Sequence, residues 1–229
     1  MKAVILAAGE GKRMRPLTET TPKPMLEILG KPILEHIFDS LPDAVDEVVL
    51  GIGYLGDQIK THFGSSFGGR AIRYVERMKP LGTAYGLWMC RDLLGDERFL
   101  MMYADDLQSK RDIERCIAFP LAMLVKKVED PRRFGVVVVD SHWRVTDLVE
   151  KPEVPPSSFA STGVKVLDGR IFNYPAPQRE NGEYYITDSL RALARDHTLV
   201  AVEASFWLPI GYPEDLARVE RILNDRGRV

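Results

Sequence analysis

The stretch KAVILAA-GEGKRMRPLTETTPKP, residues 2–24, decides how this chain is read. Lys2 to Ala8 is almost continuously apolar and rich in β-branched residues. That pattern suits a strand covered on both faces, as in a parallel sheet. At Gly9 the composition turns polar and stays so to Pro24. A loop of this length inside a compact domain is usually functional or disordered. Gly9 and Gly11 let backbone amides approach an anion closely. Lys12, Arg13, Arg15 and Lys23 set four cations in the same loop. The loop is not a P-loop, because GxxxxGK[ST] is absent. It is not a complete dinucleotide fingerprint either, because Met14 stands where the third glycine belongs. From these residues alone, a phosphate-binding loop and a flexible basic surface loop both remain open.

Working outward, apolar runs and helical spacings alternate. Pro32 is placed to open a helix through Ile33, Leu34, Ile37, Phe38 and Leu41, with Pro42 helping to end it. Residues 47–52 read as a strand, 57–63 as a short helix, 71–75 as a strand, 82–94 as one helix and 98–103 as another buried strand. This β-α-β alternation predicts a mostly parallel sheet covered by helices. In the second half, strands are expected in quick succession at 121–128, 135–139, 145–150 and 162–167, with helices at 186–194 and 213–223. The expected fold class is α/β: a Rossmann-like, three-layer α/β/α arrangement with a mixed, mostly parallel central sheet. No repeat or linker marks a boundary, so residues 1–229 are expected to form one domain.

Composition narrows the function classes. The 229 residues carry 31 Lys plus Arg against 33 Asp plus Glu, a net charge of −2. Nucleic-acid binders that work through phosphate contacts show a basic excess instead. The 45% apolar and 28% charged fractions are those of a folded domain rather than a disordered one. No apolar run approaches the roughly 18 residues of a membrane span, and the N-terminus lacks the pattern of a signal peptide. Cys90 and Cys116 form no Cys-x-x-Cys pair. A reduced, cytoplasmic chain with two buried thiols is the simplest account. The four histidines, His36, His62, His142 and His197, show no metal-ligand spacing.

Asp105 and Asp106 follow the apolar strand ending at Tyr103. In open α/β sheets, ligands bind at the carboxyl ends of strands. A carboxylate there, facing a basic loop, suits Mg²⁺, which takes one or two carboxylates plus substrate phosphate oxygens. The competing reading is a turn or helix N-cap, and Asp106 is expected to be the structural one of the pair. Trp88 and Trp207 read as core or pocket wall.

The opening LAAGEGKRMRPLTETTPKPM, Leu6 to Met25, resembles the sugar-phosphate nucleotidyltransferases, whose signature looks like LAAG-x-G-T-R-x-x-PLT…PKPM. Lys12 replaces the usual Thr. The resemblance continues in order through PLGTA (Pro80 to Ala84), ADD (Ala104 to Asp106), RFGVV (Arg133 to Val137), VEKP (Val149 to Pro152), STGV (Ser161 to Val164) and YYITD (Tyr184 to Asp188). It implies the nucleotide-diphospho-sugar transferase type of fold, with a nucleotide part over about 1–110 and a sugar part over about 111–229. It implies transfer of a nucleoside monophosphate from a nucleoside triphosphate to a sugar 1-phosphate, releasing pyrophosphate, with Mg²⁺ as cofactor. No acyltransferase-type β-helix extension is seen, so the transferase activity alone is implied. Nucleic acid and membranes are not expected partners; a homo-oligomer stays open, a dimer being only the commonest prior.

The resemblance also assigns roles. Leu6, Ala7, Ala8, Gly9 and Gly11 would cradle the nucleotide. Arg13 would hold the β- and γ-phosphates, and Lys23 the phosphates at the reacting centre. Gly82 and Thr83 would line the base and ribose site, and Asp105 would bind Mg²⁺. Gly135, Glu150, Lys151 and Gly163 would contact the sugar. One departure stands out. Relatives carry a second metal-binding Asp in a W-x-D-x-G motif, and here the stretch Trp207 to Gly211 has Pro209 at that place. Two alternatives follow: a sugar-nucleotide-binding relative without turnover, and a transferase acting on phosphocholine or another small phosphate ester. Pyrimidine-selective relatives often place a Gln shortly before the Gly of this segment; none lies in 76–81, so the resemblance leans slightly toward a purine or toward relaxed base choice.

Overall fold

The computed structural model describes residues 1–76 and 78–226; Arg77, in the segment read for base choice, lies outside them. In chain order the first half contains β1 (Lys2–Ala7), β2 (Glu27–Ile28), β3 (Lys31–Pro32), α1 (Ile33–Ser40), β4 (Glu47–Ile52), α2 (Gly56–Phe63), β5 (Ser66–Phe67), β6 (Arg70–Val75), α3 (Thr83–Met89), α4 (Arg91–Leu94) and β7 (Phe99–Tyr103). The second half contains β8 (Asp106–Gln108), α5 (Lys110–Ile117), β9 (Ala122–Lys127), β10 (Gly135–Val139), β11 (Val145–Glu150), β12 (Phe159–Leu167), α6 (Ile186–Asp196), β13 (Val200–Glu203), β14 (Trp207–Pro209) and α7 (Pro213–Arg226).

One large mixed sheet runs β11-β10-β12-β7-β1-β4-β6-β5, and β9 pairs with both β12 and β13. β1 lies between β4 and β7 and is parallel to both. Burial on both faces explains its unbroken apolar sequence: Ala3, Val4 and Ile5 have no exposure. Because a strand's side chains alternate, each face feeds its own core. Ile5 packs with Phe38, Phe63 and Leu100 on one side, and Val4 packs with Leu87, Phe99 and Leu190 on the other. The expected three-layer arrangement follows from these two cores. β12 meets β7 antiparallel, and with it the second half joins the sheet.

Several local expectations need correction. Pro32 does not open α1; it pairs with Glu27 in a short hairpin, and Ile33 starts the helix. α1 stops at Ser40, and Leu41 is extended ahead of Pro42, as the residue before a proline tends to be. The single helix expected over 82–94 is interrupted at Cys90, whose amide bonds back to Leu87 in a tighter turn. Cys90 and Leu94 continue the buried face across this break, so periodicity does not reveal it. β12 begins three residues earlier than expected and bulges between Ser161 and Lys165. α5 was not expected, because KRDIERCI offers only spaced apolar residues. Its buried Asp112 accepts hydrogen bonds from the Ser205 amide and hydroxyl at 2.7 and 2.8 Å and from the Phe206 amide at 3.1 Å. These bonds fix the turn that carries the chain into β14.

Candidate functional site

A cavity of about 800 Å³ opens beyond the carboxyl ends of β1 and β7. Its walls include Leu6, Ala7, Ala8, Gly9, Gly11, Arg13, Lys23, Gly82, Thr83, Asp105, Gly135, Glu150 and Lys151. Every residue to which the sequence assigned a site role is therefore in the wall except Gly163; Arg15 and Trp88 are not in it. Gly163 stands behind it: a Cβ there would lie 2.6 Å from Asp106 Oδ2 and 3.0 Å from the Tyr103 ring.

The basic loop is anchored rather than loose. Met14 and Thr18 have no exposure. Thr18 donates to the Gly11 carbonyl at 2.9 Å, and Tyr54 donates to the Thr18 carbonyl at 3.0 Å. Lys23 is only 9% exposed and donates to Asp105 Oδ2 at 2.6 Å. An ammonium buried this far needs a partner, and the carboxylate at the end of β7 supplies it. The two features that coincided in the sequence thus meet in space.

Asp106 is neither a turn nor a cap residue. It opens β8, opposite Pro209 on β14. Burial and the neighbouring Asp105 push its carboxyl pKa well above the usual range, against the pull of Lys23 and Lys165. Lys165 was not singled out from the sequence. It is 1% exposed, with its ammonium 3.2 Å from the Tyr103 hydroxyl and 4.3 Å from that ring's centroid. Burial lowers its pKa to about 8, with Asp106 and Glu150 opposing the shift. A lone lysine inside the apolar run of β12 was the signal that could have found it.

The two halves close on one another at the base of the cavity. Tyr184 donates its amide to Leu81 at 2.8 Å, and its carbonyl accepts from Ala84 at 2.9 Å. Thr83 Oγ1 accepts from the Ile186 amide at 3.0 Å. Toward the second half, Thr187 donates to Glu150 Oε2 at 2.6 Å, and Lys151 pairs with Glu150 at 3.6 Å. Trp207 forms wall, as expected, with its ring edge-on to Phe134 at 4.9 Å. The Pro209 carbonyl accepts from Arg218 at 2.9 Å, and Arg218 also pairs with Asp215.

Among the described residues, no group of three or more His, Cys, Asp or Glu side chains could hold a metal ion. One carboxylate at Asp105 with Asp106 beside it nonetheless fits Mg²⁺, which commonly keeps waters and takes the rest of its ligands from substrate phosphates. The resident ammonium on Asp105 marks the position as one where positive charge is held. Among the described residues, no helix is long and apolar enough to cross a membrane.

The chain matches the nucleotidyl transferase family model over residues 2–226. It is 36% identical to the UTP–glucose-1-phosphate uridylyltransferase AglF of Haloferax volcanii, covering 98% of this chain and 97% of that protein. It is 34% identical to the bifunctional protein GlmU of Methanocaldococcus jannaschii, covering 99% of this chain but 55% of the relative. The chain therefore spans about half the length of the GlmU relatives it matches. A solved Bacillus anthracis structure, described as a candidate glucose-1-phosphate thymidylyltransferase with sucrose, superposes with a TM-score of 0.86 at 29% identity. That match covers 98% of this chain and 96% of the other. Sequence and architecture agree: this chain belongs to the nucleotidyl transferase family.

Proposed function

We propose that the chain joins a nucleoside triphosphate to a sugar 1-phosphate, giving a nucleoside-diphosphate sugar and pyrophosphate. The observation that carries this reading is the Lys23–Asp105 pair, set in one cavity between the glycine-rich loop and Glu150–Lys151 of the other half. The names of AglF and of the Bacillus anthracis protein point to the same reaction class.

The chemistry asks little of general bases. A sugar phosphate oxygen is already ionised near neutral pH. It attacks the α-phosphorus in line as the bond to the β-phosphate oxygen breaks, and the pyrophosphate leaves with that electron pair. The obstacles are anion–anion repulsion and the charge that gathers on the leaving group. Arg13 and Lys23 oppose both, and such positioned charge dominates catalysis of phosphoryl-type transfer. Asp105 would hold Mg²⁺, which when bound supplies further charge neutralisation on the phosphates. Leu6 to Gly9 and Gly11 cradle the nucleotide, Gly82 and Thr83 line the base and ribose site, and Gly135, Glu150 and Lys151 meet the sugar. Gly163 acts at one remove, by leaving room for Asp106 and Tyr103.

A second reading, a binder without turnover, draws on Pro209. A panel of five nucleoside triphosphates (dTTP included) against several sugar 1-phosphates and phosphocholine, read by pyrophosphate release, tests both. Release with at least one sugar 1-phosphate is expected. Ligand-induced thermal stabilisation with no release from any pair would favour the second reading.

A further inference from the structure

Tyr212 has two guanidinium groups against its ring. Arg13 Cζ lies 5.1 Å from its ring centroid and Arg133 Cζ 4.7 Å from it, both within cation–π range. The three residues come from distant parts of the chain. Arg13 belongs to the loop after β1, Arg133 to the turn before β10, and Tyr212 to the corner between β14 and α7. The two distances place the guanidinium carbons less than 10 Å apart.

Both arginines are exposed and line the cavity. Four other cations in that wall are matched: Lys12 to Glu10, Lys23 to Asp105, Lys151 to Glu150 and Arg218 to Asp215; among the described residues Lys79, a flexible point charge, is not. Among the described residues neither Arg13 nor Arg133 is matched to a carboxylate. Like charges repel at this range, and the electron-rich ring that both contact offsets part of that repulsion. Hydrogen bonding from Arg13 and the charge of Arg133 draw the Tyr212 phenol pKa below its usual value. The adjacent Arg132 is engaged elsewhere, in a bidentate contact with Asp130 at 2.8 Å. Of two neighbouring arginines, one is tied down and one is left facing the cavity.

We propose that Arg133 is a second guanidinium for the phosphoanhydride group of the substrate, alongside Arg13, and that Tyr212 is the positioning residue that holds both at the cavity rim. This rests on the nucleotidyl-transfer reading. The ligand chemistry is a pyrophosphate group, either as the β,γ unit of the nucleotide or as the released product. Two planar forks that both reach such a group match its oxygens bidentately, which point-charge lysines do not. Tyr212 keeps the like-charged pair in place before the anion arrives, so less ordering is left to occur on binding.

The test is calorimetric titration of the whole chain with inorganic pyrophosphate in Mg²⁺ buffer. Wild type, Arg133→Ala, Arg133→Lys, Arg132→Ala, Tyr212→Ala and Tyr212→Phe are compared, with folding of each checked by circular dichroism. Wild type binds. Arg133→Ala weakens binding on the order of 10- to 100-fold, the loss of a charge-assisted contact. Arg133→Lys recovers part of it, and Arg132→Ala leaves it unchanged. Tyr212→Ala weakens binding, whereas Tyr212→Phe, which keeps the ring, largely retains it. In turnover, Arg133→Ala raises KM for the nucleotide and leaves KM for the sugar phosphate unchanged. Equal losses in Arg132→Ala and Arg133→Ala would reduce the effect to general surface charge and overturn the proposal. So would an effect confined to the sugar phosphate KM, unaltered binding in Tyr212→Ala, or no binding by wild type. Pyrophosphate binding that depends on Arg133 in a chain that turns over no substrate pair would refute the transfer reading and leave this site standing.

Discussion

Replacing Gly163 with alanine is the most quantitative probe of how the fold shapes the cavity. Gly163 sits at the bulge of β12 with φ +93°. In that backbone region a side-chain-bearing residue costs on the order of 1–3 kcal/mol. The new Cβ would also lie 2.6 Å from Asp106 Oδ2 and 3.0 Å from Tyr103 Cδ2. Overpacking of this kind adds roughly 1–3 kcal/mol, less if the Asp106 carboxylate swings aside. The combined loss is about 2–5 kcal/mol, and at about 2–4 °C per kcal/mol for a chain of this size the melting temperature falls by roughly 10 °C. Two companion substitutions separate the contributions. Gly64→Ala has φ +59° but nothing within 4 Å, so it isolates backbone strain. Gly9→Ala has neither problem, and reduced unfolded-state entropy makes it neutral or slightly stabilising. Scanning calorimetry should order the melting temperatures as Gly9→Ala at or above wild type, then Gly64→Ala, then Gly163→Ala lowest. Gly163→Ala melting together with Gly9→Ala would refute the packing argument and remove the reason for placing Gly163 behind the wall.

Lys23→Met should keep the fold and lose turnover by on the order of 10²-fold, because a cation aimed at transition-state charge is removed while the stem's apolar volume stays; undiminished turnover would contradict its role. Burial raises the Cys90 and Cys116 thiols to about 12. At pH 8 only roughly one thiol in 10⁴ is then the reactive thiolate, so a disulfide reagent should label the native chain hardly at all and both cysteines once it is unfolded in urea. The same shift has a defined sign for stability. The unfolded chain gives up these thiol protons first, so their contribution is complete below about pH 8.5 and is lost as pH rises toward 12. Prompt labelling of the native chain would show that one of these thiols is not buried.

The sequence carried the fold wherever burial is two-sided. The runs of β1, β4 and β7 are apolar because helices and strands cover both faces, and no other arrangement suits them. The loop after β1 stood out for a related reason, since a stretch crowded with glycine and cations has no use in a core, whereas Gly82 and Thr83 were reached only through the family resemblance. What escaped the sequence depends on contacts between distant segments. α5 is held as much by Asp112 capping the turn before β14 as by its few apolar residues, and no local spacing reports that. Asp106 looks like a turn residue because Asp-Asp commonly is one. Only the pairing of β8 with β14 turns it into a half-buried strand residue. Lys165 and Tyr212 are single residues whose surroundings come from chain segments far away in sequence. Their chemistry exists only after the two halves close.

The central claim is that Asp105 and the cations of the glycine-rich loop form one reaction centre. Its most direct test is pyrophosphate release measured while Mg²⁺ is titrated, on wild type, Asp105→Asn and Asp106→Asn, with the substrate pair selected by the panel. Asn preserves the size of each side chain and removes its charge. Wild type should release pyrophosphate in a Mg²⁺-dependent way, and release should collapse by about 10²-fold or more in Asp105→Asn, with a smaller loss in Asp106→Asn. Release by Asp105→Asn at the wild-type rate and with the same Mg²⁺ dependence would contradict the claim.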